Sequence, residues 1–182
     1  MVIETPMGSR FKYAYEENVD LMVVRHELPE GFTFPINFGF IPQTLAGDGD
    51  PLDALIMSET PAISGCLMEC RVVGAVTARQ RDRNKWVRND RVLAVPAASR
   101  SYENVQSLGD ISKTFLTQLE QFFVAYNAAR GKTYQSLRRL NPVQALSLIR
   151  KTKCGSQTNN GICMTTPAQD RSGNCGISFP RC

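Results

Sequence analysis

Histidine is almost missing from this chain: among 182 residues only His26 carries an imidazole. Ser-His-Asp triads, HExxH zinc sites and Cys-His dyads all depend on imidazole, so most of that catalytic menu is closed. Any catalysis falls to carboxylates, Lys, Arg, Tyr and a metal that prefers oxygen ligands, Mg²⁺ or Mn²⁺ before zinc. His26 itself is expected to be a surface or packing residue. Long apolar runs are missing too, none approaching the roughly 18 residues that a membrane span needs. The opening Met1-Val2-Ile3-Glu4 has no basic region followed by an apolar one, so the expectation is a soluble, cytoplasmic protein with no membrane partner. Charge of one sign is not in excess either. Twenty-one Lys and Arg against 17 Asp and Glu leave a net +4, which favours a small anionic ligand but falls short of a dedicated nucleic-acid binder.

Cysteine is present six times but never as CxxC. Cys66 and Cys70 sit in an alternating, strand-like run and are expected to be small buried hydrophobes. Cys154, Cys163, Cys175 and Cys182 follow one another at spacings of 9, 12 and 7, which match no zinc pattern. A disulfide reading of these four sits badly with a cytosolic chain.

What the chain does have is a concentration of negative charge. Asp48-Gly49-Asp50-Pro51-Leu52-Asp53 places three carboxylates within six residues. Carboxylates this close raise one another's pKa, and full solvation or a hard cation keeps them all ionised. Gly49 permits unusual dihedrals and Pro51 fixes φ, so the stretch predicts a rigid turn. Leu52 and Ala54-Leu55-Ile56-Met57 then predict a buried strand with Asp53 at its mouth. An ordinary solvated turn is the commoner fate of such a hexapeptide. A calcium loop of the EF-hand kind fits at Asp48, Asp50 and Glu59 but fails at Leu52, at Asp53 in place of glycine, and at Pro51.

A hydrophobic content of 42% over this length predicts one globular domain with a real core. Apolar runs between Pro and Gly predict strands over Met1 to Thr5, Phe11 to Glu16, Val19 to Glu27 and Phe34 to Ile41. Longer runs over Cys66 to Arg79 and Trp86 to Val95 complete a set that argues for a barrel or sandwich over βαβ units. Ile111, Phe115, Leu119, Phe122, Phe123 and Tyr126 recur at helical spacing, predicting a helix from Asp110 to Arg130 that stops at Gly131. Asn141-Pro142 reads as an N-cap with proline at the first helical position, opening a short helix that ends near Lys151. Residues 1–151 are thus expected to form the domain, and 152–182 a polar Cys-containing tail, disordered or a non-native extension.

One basic segment carries Arg79, Arg81, Arg83, Lys85, Arg88 and Arg91 around Trp86. It suits a solvated hairpin, or a nucleic-acid groove with an aromatic stacking platform. A third reading has only Asn89-Asp90-Arg91 facing the Asp cluster, giving a metal ligand and a guanidinium for phosphate. Carboxylates that hold divalent ions beside Lys and Arg are the pattern a polyphosphate substrate demands.

The hexapeptide Asp48 to Asp53 resembles the signature of the family I soluble inorganic pyrophosphatases. Val2-Ile3-Glu4-Thr5-Pro6, Lys12-Tyr13, Arg25, Phe34-Pro35-Ile36-Asn37-Phe38-Gly39-Phe40-Ile41-Pro42, Leu93-Ala94-Val95-Pro96 and Gln121-Phe122-Phe123 leading to Tyr126 agree in order, over roughly residues 1 to 150. The resemblance implies an α+β, mainly β fold: an OB-like five-stranded barrel flanked by two C-terminal helices. It also implies Mg²⁺, with Mn²⁺ possible, hydrolysis of pyrophosphate to two phosphates by attack of a metal-bound water, and a homo-oligomer. Carried over by position, Asp48 and Asp53 are metal ligands, with Asp90 as the hypothetical third. Asp50 is the carboxylate that orients or deprotonates the attacking water, and Glu4 holds the water network. Lys12, Arg25, Arg91 and Tyr126 grip substrate. Ala14, Phe34, Phe38 and Asn127 depart from the family's polar residues, and Asn89 falls where a ligand is usual. A homologue that binds without turnover, or an OB-type nucleic-acid module, are the rival readings.

Overall fold

Nine strands and two helices build the chain in a computed structural model that describes residues 1–16, 18–82 and 85–153. The expected tail lies outside the described residues from residue 154 onward, together with its four cysteines. The first half is almost entirely strand: β1 (Val2–Thr5), β2 (Phe11–Glu16), β3 (Leu21–Glu27), β4 (Asn37–Phe40) and β5 (Asp53–Ile56). Then come β6 (Cys70–Asp82), β7 (Lys85–Arg88) and β8 (Arg91–Pro96), followed by α1 (Lys113–Ala128), β9 (Thr133–Leu140) and α2 (Pro142–Thr152). The mainly β, α+β class expected from the sequence holds.

Hydrogen bonding runs along the path β1-β4-β5-β8-β6-β7, with β9 added on the other edge of β6, while β2 and β3 form a separate hairpin. Seven strands therefore share the main sheet where the resemblance implies five, because the 13-residue β6 is long enough to take β7 beyond β8 on one edge and β9 on the other. Gly39 lets β4 close on β1: a Cβ there would come 1.9 Å from the Val2 carbonyl oxygen, so no other residue fits.

The main core lies between α1 and the sheet. Leu116, Leu119, Phe123 and Tyr126 of the helix pack on Phe34, Phe38, Leu55, Leu93 and Val95. A second cluster seats Ala145 and Ile149 of α2 on Leu52, Ala75, Val92 and Leu140.

Several boundaries differ from expectation for local reasons. Ser112 accepts from the Phe115 N–H and starts α1 there, leaving Leu108–Asp110 as a 3₁₀ turn capped by Ser107. Asp20, at φ 54°, delays β3 to Leu21. The run from Trp86 to Val95 is two strands, broken at Asn89-Asp90. Cys66 is exposed and Cys70 half-buried, against the expectation of two buried thiols, because β6 begins only at Cys70.

Candidate active site

Register sets the centre of the site. Asp53 opens β5 and Arg91 opens β8, and the parallel pairing of the two strands places them side by side at one sheet end. Arg91 Nε lies 3.3 Å from Asp53 Oδ2. Arg91 is 4% exposed, and its guanidinium rests over the rings of Phe123 at 4.1 Å and Tyr134 at 4.6 Å. Its Nη1 has no hydrogen-bond partner among the described residues, so a buried cation with a spare donor faces this end of the sheet.

The acidic loop is held from within. The Ala46 N–H donates to the Asp50 carbonyl at 2.7 Å, the Ile41 N–H to the Leu52 carbonyl at 2.9 Å, and the Leu52 N–H to Thr44 Oγ1 at 2.9 Å. Gly49 turns the chain at φ 94°, a left-handed conformation that disfavours a side chain. The result aims Asp48, Asp50 and Asp53 into one cleft of about 1100 Å³ that also takes in Glu4, Lys12, Arg25, Arg91, Tyr126, Arg130 and Lys132.

Burial dominates the electrostatics. It pushes the Asp53 carboxyl up to about 7, with Arg91 and Lys12 pulling back and Asp48 and Glu4 adding to the rise. Asp48 is raised as well, again mainly by burial. Lys12 bonds Glu4 Oε2 at 2.7 Å, but burial outweighs that partner and lowers its pKa. Arg25 reaches Glu16 across the hairpin at 2.7 Å.

The phenylalanines at the family's tyrosine positions have packing roles. Phe34 meets Phe122 and Tyr126 edge-on, and Phe38 lies under the Lys12 ammonium at 4.2 Å.

Asp90 stands apart from this cleft. At the break between β7 and β8 its Oδ1 accepts the Ala78 N–H at 2.9 Å and the Arg88 Nη2 at 2.8 Å. The carboxylate patches a gap in the β6 ladder, and Asp90, expected as third ligand, is not among the residues that line the cleft. Asn89 turns inward instead: its Nδ2 donates to Asp48 Oδ2 at 3.2 Å, while its Oδ1 is buried with no partner.

Among the described residues, no three His, Cys, Asp or Glu side chains gather closely enough to hold a metal ion by themselves. The donor chemistry nonetheless suits a hard cation. Asp48 and Asp53 present carboxylate oxygens that burial makes costly to ionise without a positive partner, and the Asn89 oxygen beside them lacks one.

His26, expected to be a surface or packing residue, bonds the Tyr126 hydroxyl at 2.9 Å. Arg130 approaches the same oxygen from the other side at 3.4 Å. Sequence reasoning missed both, although Arg130 stands four residues beyond Tyr126, the spacing that brings helical side chains together.

The family model for inorganic pyrophosphatase matches residues 1–154. The chain belongs to the inorganic pyrophosphatase family. A family member from Thermus thermophilus is 35% identical over 132 residues, covering 72% of this chain and 73% of its own. One from Haloferax volcanii is 33% identical over 137 residues, 75% of each chain. Among solved structures of the family, those from Thermus thermophilus and Coxiella burnetii both superpose with a TM-score of 0.77. They are 32% and 33% identical, covering 84% and 83% of this chain and 87% and 90% of theirs. Enzymes of this family use a divalent metal.

Proposed function

We propose that this chain hydrolyses inorganic pyrophosphate to two phosphates, with Mg²⁺, or Mn²⁺ in its place, held by Asp48 and Asp53. The observation that carries the reading is the shared cleft, in which Asp53 sits against Arg91 and both stand beside the Lys12–Glu4 pair. A cleft that held carboxylates alone would repel pyrophosphate, and one that held only cations would bind it without a place for the metal. Bound divalent cations would neutralise phosphate oxygens and acidify water at the site.

The chain's own groups divide the remaining work. Arg91 and Lys12 donate to phosphate oxygens from below, and Arg25 and Tyr126 from the cleft walls. Arg91 keeps the free Nη1 that such a contact uses. Asp50, exposed at the mouth of the loop, takes the proton from the attacking water on its carboxylate. Glu4 holds Lys12 in place and fixes the Tyr15 N–H through its second oxygen. Asn89 contributes a neutral amide oxygen where a carboxylate would add charge.

A reading in which the chain binds pyrophosphate without turnover draws on Asn89 and on the apolar Phe34 and Phe38. A nucleic-acid role is disfavoured because Arg79 covers the Trp86 ring at 4.5 Å, the face a base would stack on. Exposed Ile63, Leu67 and Val143 support assembly with further copies of the chain, in the cytoplasm; a sedimentation profile of pure monomer would remove that part.

The test is release of phosphate from pyrophosphate in the presence of Mg²⁺. Release that stops on adding EDTA and returns with excess Mg²⁺ is the expected result. Binding of pyrophosphate with no release would leave the non-catalytic reading in its place.

A further inference from the structure

Lys12, Arg25 and Arg91, three of the cations that line the cleft, each face a carboxylate, Glu4, Glu16 and Asp53 respectively. Arg130 lines the same cleft, yet no carboxylate of the described residues comes within ion-pair distance of it. Neutral groups hold it instead. Its Nη1 lies 3.4 Å from the Tyr126 hydroxyl, and its guanidinium carbon lies 5.4 Å from the centre of the Tyr126 ring.

The backbone fixes where this side chain starts. Arg130 and Lys132 both donate their N–H to the Asn127 carbonyl, and Gly131 donates to that of Ala128, at φ 70°. The chain therefore turns sharply off the end of α1 with Arg130 at the lip. Asn127, on the last turn of the helix, is buried and spends its Nδ2 on the Phe123 carbonyl at 2.8 Å, so it brings no charge to this wall.

Hydrogen-bond roles follow from chemistry. A guanidinium can only donate, so the Tyr126 oxygen accepts from Arg130, and its one proton goes to His26 Nε2 until a phosphate oxygen enters the cleft and takes it instead. His26 then accepts, which requires its neutral form, and burial together with Arg130 and Lys12 lowers its pKa in that direction. One of five guanidinium N–H groups is used in this way, and among the described residues no other hydrogen bond ties up the rest before an anion arrives.

Resting on the pyrophosphate reading, we propose that Arg130 is a substrate-binding residue: it contacts a phosphoryl group of the substrate directly, from the wall of the cleft formed by the end of α1. An uncompensated, pre-positioned cation loses little on meeting a phosphate, whereas a paired one must first release its carboxylate.

The test is calorimetric binding of imidodiphosphate, a non-hydrolysable analogue, in Mg²⁺, alongside pyrophosphatase kinetics and the melting temperature. Arg130→Ala is expected to raise both Kd and KM by about tenfold, with kcat less affected and Tm unchanged, on the usual scale for a charged hydrogen bond. Arg130→Lys should recover part of the loss. Arg139→Ala, which breaks an ion pair with Glu120 outside the cleft, should change neither constant. In a Tyr126→Phe background Arg130→Ala should still weaken binding; no added loss there would mean that Arg130 acts through the tyrosine alone and would overturn the proposal. So would an unchanged Kd in the single variant. Wild-type protein that binds imidodiphosphate but releases no phosphate from pyrophosphate removes the catalytic reading and leaves Arg130 to be judged on Kd. Wild type that binds no imidodiphosphate overturns both.

Discussion

Two neighbouring side chains, Asn89 and Asp90, divide the labour at the break between β7 and β8. Counting charges along the sequence favours Asp90 as the ligand, since it is the ionised one. The strand break gives Asp90 other work, because the Ala78 N–H is buried and takes its carboxylate as acceptor. Asp90→Ala is therefore expected to cost about 1–3 kcal/mol of stability by leaving that donor unsatisfied, with Mg²⁺ affinity unchanged. Asn89→Asp, by contrast, should tighten Mg²⁺ binding with little effect on the thermal midpoint. Calorimetric metal titration and melting curves on the two variants separate these outcomes, and the reverse pattern would return Asp90 to the metal. No periodicity in the sequence distinguishes the two residues, since both lie where the alternation fails. Asp48, Asp50 and Asp53 were legible because three carboxylates within six residues need either water or a cation. His26 was not legible, because its contact with Tyr126 joins the hairpin to the end of α1 across 100 residues of chain, whereas Arg130 stands only four residues beyond Tyr126.

Strands bounded by Pro and Gly, and helices with a clean apolar face, were readable from pattern alone. Asn141 accepts from the Gln144 N–H as the N-cap its sequence suggested, and Gln144 returns the bond. The eight-residue β9 was not foreseen: only Tyr134 and Leu140 are buried along it, too few to declare alternation. The link between α2 and the acidic loop was equally invisible. The Leu45 N–H donates to the Thr152 carbonyl at 2.7 Å, and Thr44 forms a bridge with Lys153. The same Thr44 holds Leu52 through its hydroxyl, so the end of α2 braces the loop that carries Asp48 and Asp50. The chain cut after Lys153 should therefore keep full activity and melting temperature. A cut after Leu148 also removes Ile149 from the second core and should cost about 2–5 kcal/mol, on the scale of losing a large core side chain, along with activity. Equal activity from the two truncations would show that the loop stands without its brace.

Across the molecule, the sheet gathers charge at one end and keeps its interior apolar. The ends of β5 and β8 supply Asp53 and Arg91, the β2–β3 hairpin supplies Lys12 and Arg25, and α1 closes the far wall with Tyr126. Phe34, Phe38 and Phe123 line the same cleft, and burial there keeps Asp53 reluctant to ionise and makes a cation worth more than it would be in water. The central claim is that this carboxylate exists to hold a divalent ion for pyrophosphate hydrolysis. Phosphate release by wild type and Asp53→Asn, in Mg²⁺ and at matched folded fraction, tests it most directly. The account predicts that the variant loses release by several orders of magnitude while the fold is retained, as its melting curve checks. Asp53→Asn turning over pyrophosphate at the wild-type rate would contradict it.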